Sequence, residues 1–205
     1  MTPLTGIDLI LASSSKYRRE LLSRLTPNFR SAAPDIDETP LGDECANDLA
    51  GRLAWEKARA VARTNPGAMV IGSDQVAHVE GIAEAIGKPG TSAAARAQLA
   101  AFSGRCVWFR TAVCVLDART ESDPRQMPRF IALDTTRVYF RDLDADTIAR
   151  YVERERPLDC AGSFKAEGLG IALFERIESN DPTALIGLPL IVLCRLLREA
   201  GIDPL

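Results

Sequence analysis

The chain has 205 residues, 46% hydrophobic and 26% charged, enough to bury a core in one large domain or two small lobes and too apolar to read as disordered. A net charge of -3 argues against a domain that binds nucleic acid through bulk electrostatics, although a small anion needs only a local basic cluster. The five cysteines, Cys45, Cys106, Cys114, Cys160 and Cys194, form no C-x-x-C pair, which points to reduced thiols and away from a structural zinc.

The N-terminus lacks the basic start and long apolar run of a signal peptide. Leu9 to Ala12 reads as a strand running into Ser13-Ser14-Ser15, and KYRRELLSRL as the helix that follows. Phe29 to Ala33 is a short strand, and PDIDETPLGD (34–43) an acidic loop. Glu44 to Arg63 is the clearest long helix. Ala68 to Gly72 reads as an apolar strand that ends at Gly-Ser-Asp. Val76 to Ile86 reads as a hairpin around Gly81, and GKPG as a turn. Ser92 is the expected N-cap of a helix through Phe102. Cys106 to Leu116 and Phe130 to Phe140 are β-rich, joined by a polar hairpin loop (118–129). Asp144 to Glu153 reads as a helix, Asp159 to Gly170 as a glycine-punctuated loop and Ile171 to Ile177 as a strand. Pro189 to Ala200 reads as the last helix. Its apolar stretch is too short and interrupted to span a bilayer, so the expectation is a soluble cytoplasmic protein with no membrane or nucleic-acid partner. Helices and strands alternate early and strands adjoin in the middle, which predicts an α/β fold with a mixed sheet.

His78 is the only histidine, so proton transfer and metal binding fall to carboxylates, lysines and water. LASSSKYRR (11–19) sets hydroxyls and two arginines around a helix start. It reads either as a phosphate cradle or as an ordinary serine cap with solvated arginines. Asp35, Asp37 and Glu38 are either solvated loop acids or oxygen ligands for Mg²⁺ or Mn²⁺. Asp74, at an expected strand end, is either a turn residue or a metal ligand and proton acceptor. GKPG lacks the spacing of a P-loop, so Lys88 reads as solvent-exposed, as does Lys57 in the long helix. DCAGSFKAEGLG (159–170) reads as a loop that approaches a ligand closely. Its Ser163 and Lys165 have no other part of a Ser-Lys hydrolase around them, and His78 reads as a hairpin surface residue.

Taken in order, LASSSKYRRELL, IDET, RLAWEKA, VIGSDQV, GKPG, QLAAFSG, RTAV, VYFRDL, DCAGSFKAEGLG and DPTALIGLPL resemble the Maf-like nucleotide pyrophosphatases from Leu9 to about Gly201. The resemblance implies one Maf-like domain over residues 1–205: an elongated mixed sheet flanked by helices, two lobes around a central cleft, related to the ITPase fold and often homodimeric. It implies a divalent cation and hydrolysis between the α and β phosphates of a nucleoside triphosphate. Carried over, Ser13 and Arg18 contact phosphate, Glu38 and Asp74 serve the metal, Asp74 accepts the proton, and Lys57 and Lys88 neutralise the triphosphate. Gln75 and the CAGSFKAEGLG string resemble the subgroup acting on 7-methyl-GTP, with Tyr17, Gln75 and Glu167 as selectivity positions. Three features depart from the pattern: Lys16 replaces a frequent proline, Tyr17 a usual tryptophan, and HVEGIAEAIGKPG runs a few residues long. The expected function is removal of 7-methyl-GTP or related modified nucleotides. The alternatives are the same chemistry on dTTP, UTP or inosine-type triphosphates, and a nucleotide-binding regulator of cell division with little turnover.

Overall fold

Short apolar runs bounded by serine, glycine and proline become strands, and the alanine- and leucine-rich stretches between them become helices. The structure, a computed structural model, describes residues 1–82, 84–121, 123 and 125–205. In chain order the elements are β1 (Thr2–Pro3), β2 (Leu9–Ala12), α1 (Lys16–Leu22), β3 (Arg30–Ala32), α2 (Ala46–Ala62), β4 (Met69–Val79) and α3 (Ser92–Phe102). Then follow β5 (Cys106–Asp117), β6 (Arg129–Phe140), α4 (Ala145–Glu155), β7 (Phe174–Glu178), α5 (Leu190–Glu199) and β8 (Ile202–Asp203).

Two compact units divide the chain. The first comprises 1–74, 111–134 and 181–205, and the second 75–110 and 135–180. In the first, the strand order is β3-β2-β4-β5-β6. β2 pairs parallel with β3 (Ile10 with Arg30) and with β4 (Ile10 with Val70), each crossover carrying a helix as parallel strands require. Hydrogen bonds at the strand ends, Ala118 N to Ala68 O and Asp117 N to Pro128 O, open the hairpin-like part of the sheet. Leu9, Leu11, Met69, Ile71, Val113 and Val115 on one face meet Leu21 and Leu22 of α1 and Leu193, Leu196 and Leu197 of α5. The short β1 and β8 pair parallel beside this core.

The second unit continues β4, β5 and β6 and adds β7, antiparallel to β6 (Val138 with Ile177). The bonds Glu80 N to Cys106 O and Phe140 N to Arg105 O close the opposite ends, so β5 runs antiparallel to both neighbours. Its core is aromatic: Phe102, Phe109, Phe140, Phe164 and Phe174 pack with centroids 4.8 to 5.8 Å apart, mostly edge to face.

Several expectations are corrected. The strand expected to stop at Gly72-Ser73-Asp74 continues to Val79, because Gly72 serves close packing rather than a turn. Thr91, not Ser92, caps α3, its hydroxyl accepting from Ala94 N. The strand expected from Ile171 starts at Phe174, after a 3-10 turn over Leu169–Leu173. His78 is a half-buried residue of β4 and accepts from Arg110 Nε at 3.4 Å. An isolated antiparallel bridge joins Ala77 to Ile86, while position 83 of that hairpin and 122 and 124 of the next loop lie outside the described residues. Among the described residues no helix is long and apolar enough to cross a membrane, and none of the five cysteines is in a disulfide.

Candidate active site

The buried stripe of α2 runs through Leu49, Ala50, Leu53, Ala54, Lys57, Ala58, Val61 and Ala62. A lysine on that stripe must find an anion or lose the free energy of its hydration. Lys57 finds two. Its ammonium lies 2.5 Å from Asp74 Oδ1 and 2.7 Å from Glu38 Oε1. The Lys57 and Asp74 side chains are only 7% and 10% exposed, whereas Glu38 is 58% exposed, so the pair is dry on one side and open on the other. Solvent exposure expected for Lys57 is thereby corrected.

Gly72 makes this contact reachable. A β-carbon there would sit on the Ala54 carbonyl oxygen and 2.8 Å from Ala58 N, so only glycine lets α2 come this close to β4. Lys57 lies one turn beyond Ala54, and Asp74 lies two residues beyond Gly72 on the same strand face.

On the other side of β4, Ser73 is fully buried, its hydroxyl within 2.8 Å of Ala112 O and 2.9 Å of Gly187 O. Gly187 O also accepts from Arg18 Nε at 2.8 Å, which fixes the guanidinium beside the sheet. Desolvation lowers the Arg18 pKa, and the negative charges of Asp74 and Glu38 push it back up, so Arg18 stays cationic in their field. Ser13 is buried and its hydroxyl accepts from Ser15 N at 3.1 Å, while Ser15 caps α1 through Arg18 N. Tyr17 is half-buried, and the Lys16 ammonium lies 4.8 Å from its ring centroid.

The first unit therefore joins Glu38, Lys57 and Asp74 directly and places Arg18 in their field. Asp35 and Asp37 do not join them. They line a separate groove of about 350 Å³ with Arg52, Arg59 and Arg63, where Arg52 is taken up by Glu44 and Glu56. Ser73, Gly72 and Gly187 were missed by sequence reasoning. The signal for the first two was present, since a glycine-serine step inside a β-branched run also fits close packing.

The second unit holds Gln75, Lys88 and Glu167. Gln75 follows Asp74 on β4 and is half-buried, and the pleat turns it to the opposite face. Lys88 is exposed in a turn anchored by Gly90 N to Leu158 O at 3.0 Å and by a Gln98 amide bond to Gly87 O. Glu167 is exposed in the glycine-rich loop. That loop is stapled to α4 on both sides of it: Lys165 N donates to the Tyr151 hydroxyl, Lys165 Nζ to Glu155 O, and Leu169 N to Glu155 Oε2. A β-carbon at Gly168 would collide with that same Glu155 carboxylate. Lys165 is thus an anchor and not a partner of Ser163.

A family profile described as "Maf-like protein" matches residues 8–200. A Xanthomonas oryzae pv. oryzae protein named 7-methyl-GTP pyrophosphatase is 57% identical over 193 residues, covering 94% of this chain and 96% of that one. An Aromatoleum aromaticum protein of the same name is 55% identical over 195 residues, covering 95% and 96%. Among solved structures, a HAM1 protein from Coxiella burnetii matches with a TM-score of 0.52 at 16% identity, covering 95% of this chain and 98% of that one. This last likeness bears on the fold, a mixed α/β sheet flanked by helices.

Proposed function

The chain belongs to the Maf family, and from that premise we propose that it hydrolyses the α–β phosphate bond of 7-methyl-GTP or closely related modified nucleotides, giving the monophosphate and pyrophosphate. The observation that carries the reading is buried Lys57, held between Glu38 and Asp74 with Arg18 in the same field. Phosphoryl chemistry asks little covalent help of a protein. It needs a water aimed at phosphorus and cations aimed at the oxygens that gain charge.

Each residue then has a task. Asp74 accepts the proton of the attacking water. Arg18 presents a planar fork to a phosphate, and the Ser13 hydroxyl supplies a further donor. Lys57 and Lys88 offset the negative charge of the triphosphate. Glu38 and Asp74 provide hard oxygen donors of the kind Mg²⁺ and Mn²⁺ prefer. Mg²⁺ is commonly held by one or two carboxylates and completes its shell with water and substrate phosphates. Bound there, such a cation supplies charge neutralisation at the phosphates.

For the base, Tyr17, Gln75 and Glu167 are the proposed readers. N7-methylation makes guanine cationic, and an aromatic face attracts a cation by about 0.5–2 kcal/mol. A carboxylate adds Coulomb attraction and accepts hydrogen bonds from the guanine edge.

The test is pyrophosphate release from 7-methyl-GTP, GTP, dTTP, UTP and ITP with Mg²⁺ or Mn²⁺. A clear preference for 7-methyl-GTP supports the reading. A preference for dTTP or UTP keeps the chemistry and removes the selectivity assignment. No turnover by folded protein removes both.

A further inference from the structure

Gln98, on α3, touches two segments of the second unit at once. Its amide nitrogen donates to the Gly87 carbonyl at 3.1 Å, and its amide oxygen accepts from the Ser163 hydroxyl. The orientation follows from chemistry: a carbonyl can only accept, so the nitrogen must face Gly87. One rigid amide plane therefore spans the turn that carries Lys88 and the loop that carries Glu167.

Both segments need such a tie. Ser163 is fully buried and sits at φ 58°, after Gly162 at φ 78°. A residue with a β-carbon holds the left-handed region only where its surroundings impose it. Here those surroundings are the bond from Ser163 N to Cys160 O and the hydroxyl bond to Gln98. Beyond Ser163, Tyr151 and Glu155 hold Lys165 and Leu169 on either side of Glu167, and Gln98 adds the anchor at the strained start of the loop. In the GKPG turn, Gly90 N is held by Leu158 O and Gly87 O by Gln98, one bond on each side of Lys88. The reach of an exposed lysine is set by its backbone, and that backbone is set from both sides.

We infer that Gln98 is a positioning residue that locks the Lys88 turn to the glycine-rich loop, so that the group neutralising phosphate and the group reading the base keep a constant separation. The inference rests on the proposed roles of Lys88 and Glu167. Gln98 itself touches no reacting atom.

The test compares Gln98→Met, which removes both bonds, and Gln98→Glu, which keeps the acceptor for Ser163 and loses the donor to Gly87. Both are measured beside Lys88→Ala and the double variant Lys88→Ala/Gln98→Met. The readouts are kcat and KM for pyrophosphate release from 7-methyl-GTP, and hydrogen exchange of residues 86–91 and 160–170. Gln98→Met is expected to lower kcat/KM by about tenfold or more and to raise exchange in both segments, whereas Gln98→Glu raises it in 86–91. The double variant is expected to lose less than the product of the two single losses, because part of the Gln98 effect passes through Lys88 and the rest through the glycine-rich loop. Additive losses, or wild-type kinetics with unchanged exchange in both Gln98 variants, would overturn the inference. Should the wild-type protein turn over no nucleotide, the roles of Lys88 and Glu167 fall, and exchange alone decides whether Gln98 couples the segments.

Discussion

The Lys57 cluster and the glycine-rich loop hold their functional groups by opposite means. In the first unit, charge holds charge: a buried ammonium braces two carboxylates from different elements, and its position depends on one glycine that lets a helix touch a strand. In the second, the anchors are not the groups assigned to the ligand: Gln98 and Tyr151 hold the loop through neutral hydrogen bonds, and Glu155 holds it through its main-chain carbonyl and its carboxylate, around a start strained at Ser163. On the proposed function, the ion cluster does its chemistry with the same groups that hold it together. A hydrogen-bonded loop separates the two tasks, so its anchors can be altered without removing a reacting group.

If that contrast is right, substitutions in the ion cluster cost more than substitutions among the loop anchors. Lys57→Met is the severest. It removes the ammonium that joins Asp74 to Glu38. Steady-state kinetics should show a loss of about two to three orders of magnitude in turnover, of the size seen when a preorganised charge is removed.

Gly72→Ala comes next and acts on stability. The added methyl has nowhere to go but into the Ala54 carbonyl, and overpacking against backbone costs about 1–3 kcal/mol, occasionally more. For a chain of this length that is a fall in Tm of about 2–4 °C per kcal/mol, read by calorimetry.

Asp134 sharpens the comparison, because among the described residues this acid of the first unit has no ammonium to hold it. It is 6% exposed and its Oδ1 has no hydrogen-bond partner among those residues. Burial raises its pKa, and the charge of Asp181 raises it further. A raised carboxyl pKa means that the folded chain binds more protons than the unfolded one, so stability falls as pH rises from the ordinary carboxylate range through the folded value. Asp134→Asn should remove that slope and raise stability at neutral pH by about 1 kcal/mol, with little gain at pH 3–4, in denaturant melts across that range.

Tyr151→Phe is the smallest. It deletes one bond to Lys165 N, worth about 1 kcal/mol, while the Glu155 contacts persist. KM should rise a few-fold and kcat should hold. A loss as deep as that of Lys57→Met would break the contrast drawn above.

Much of the fold was legible because local signals and packing agree. Leu9 to Ala12 is a strand with the expected bounds, since a fully buried apolar run closes on serines. The mixed sheet follows from helices alternating with strands early and adjoining strands later. The misreadings share one cause. Gly72 looks like punctuation in sequence, yet its reason is α2 on the far side of it, so Asp74 sits within β4 rather than at its end. Lys57 looks solvated until the helical stripe it interrupts is drawn, after which its burial is readable. Gln98 carries no local signal at all, because both of its partners lie in loops more than ten residues away.

The most direct test of the account is to measure turnover and nucleotide binding together in Asp74→Asn, with its Tm alongside. The account expects turnover of 7-methyl-GTP to fall by about 10²–10⁴, the range lost with a general base, while the fold persists and affinity for the nucleotide changes little. A folded Asp74→Asn protein that keeps its turnover would contradict the claim that this centre carries the reaction.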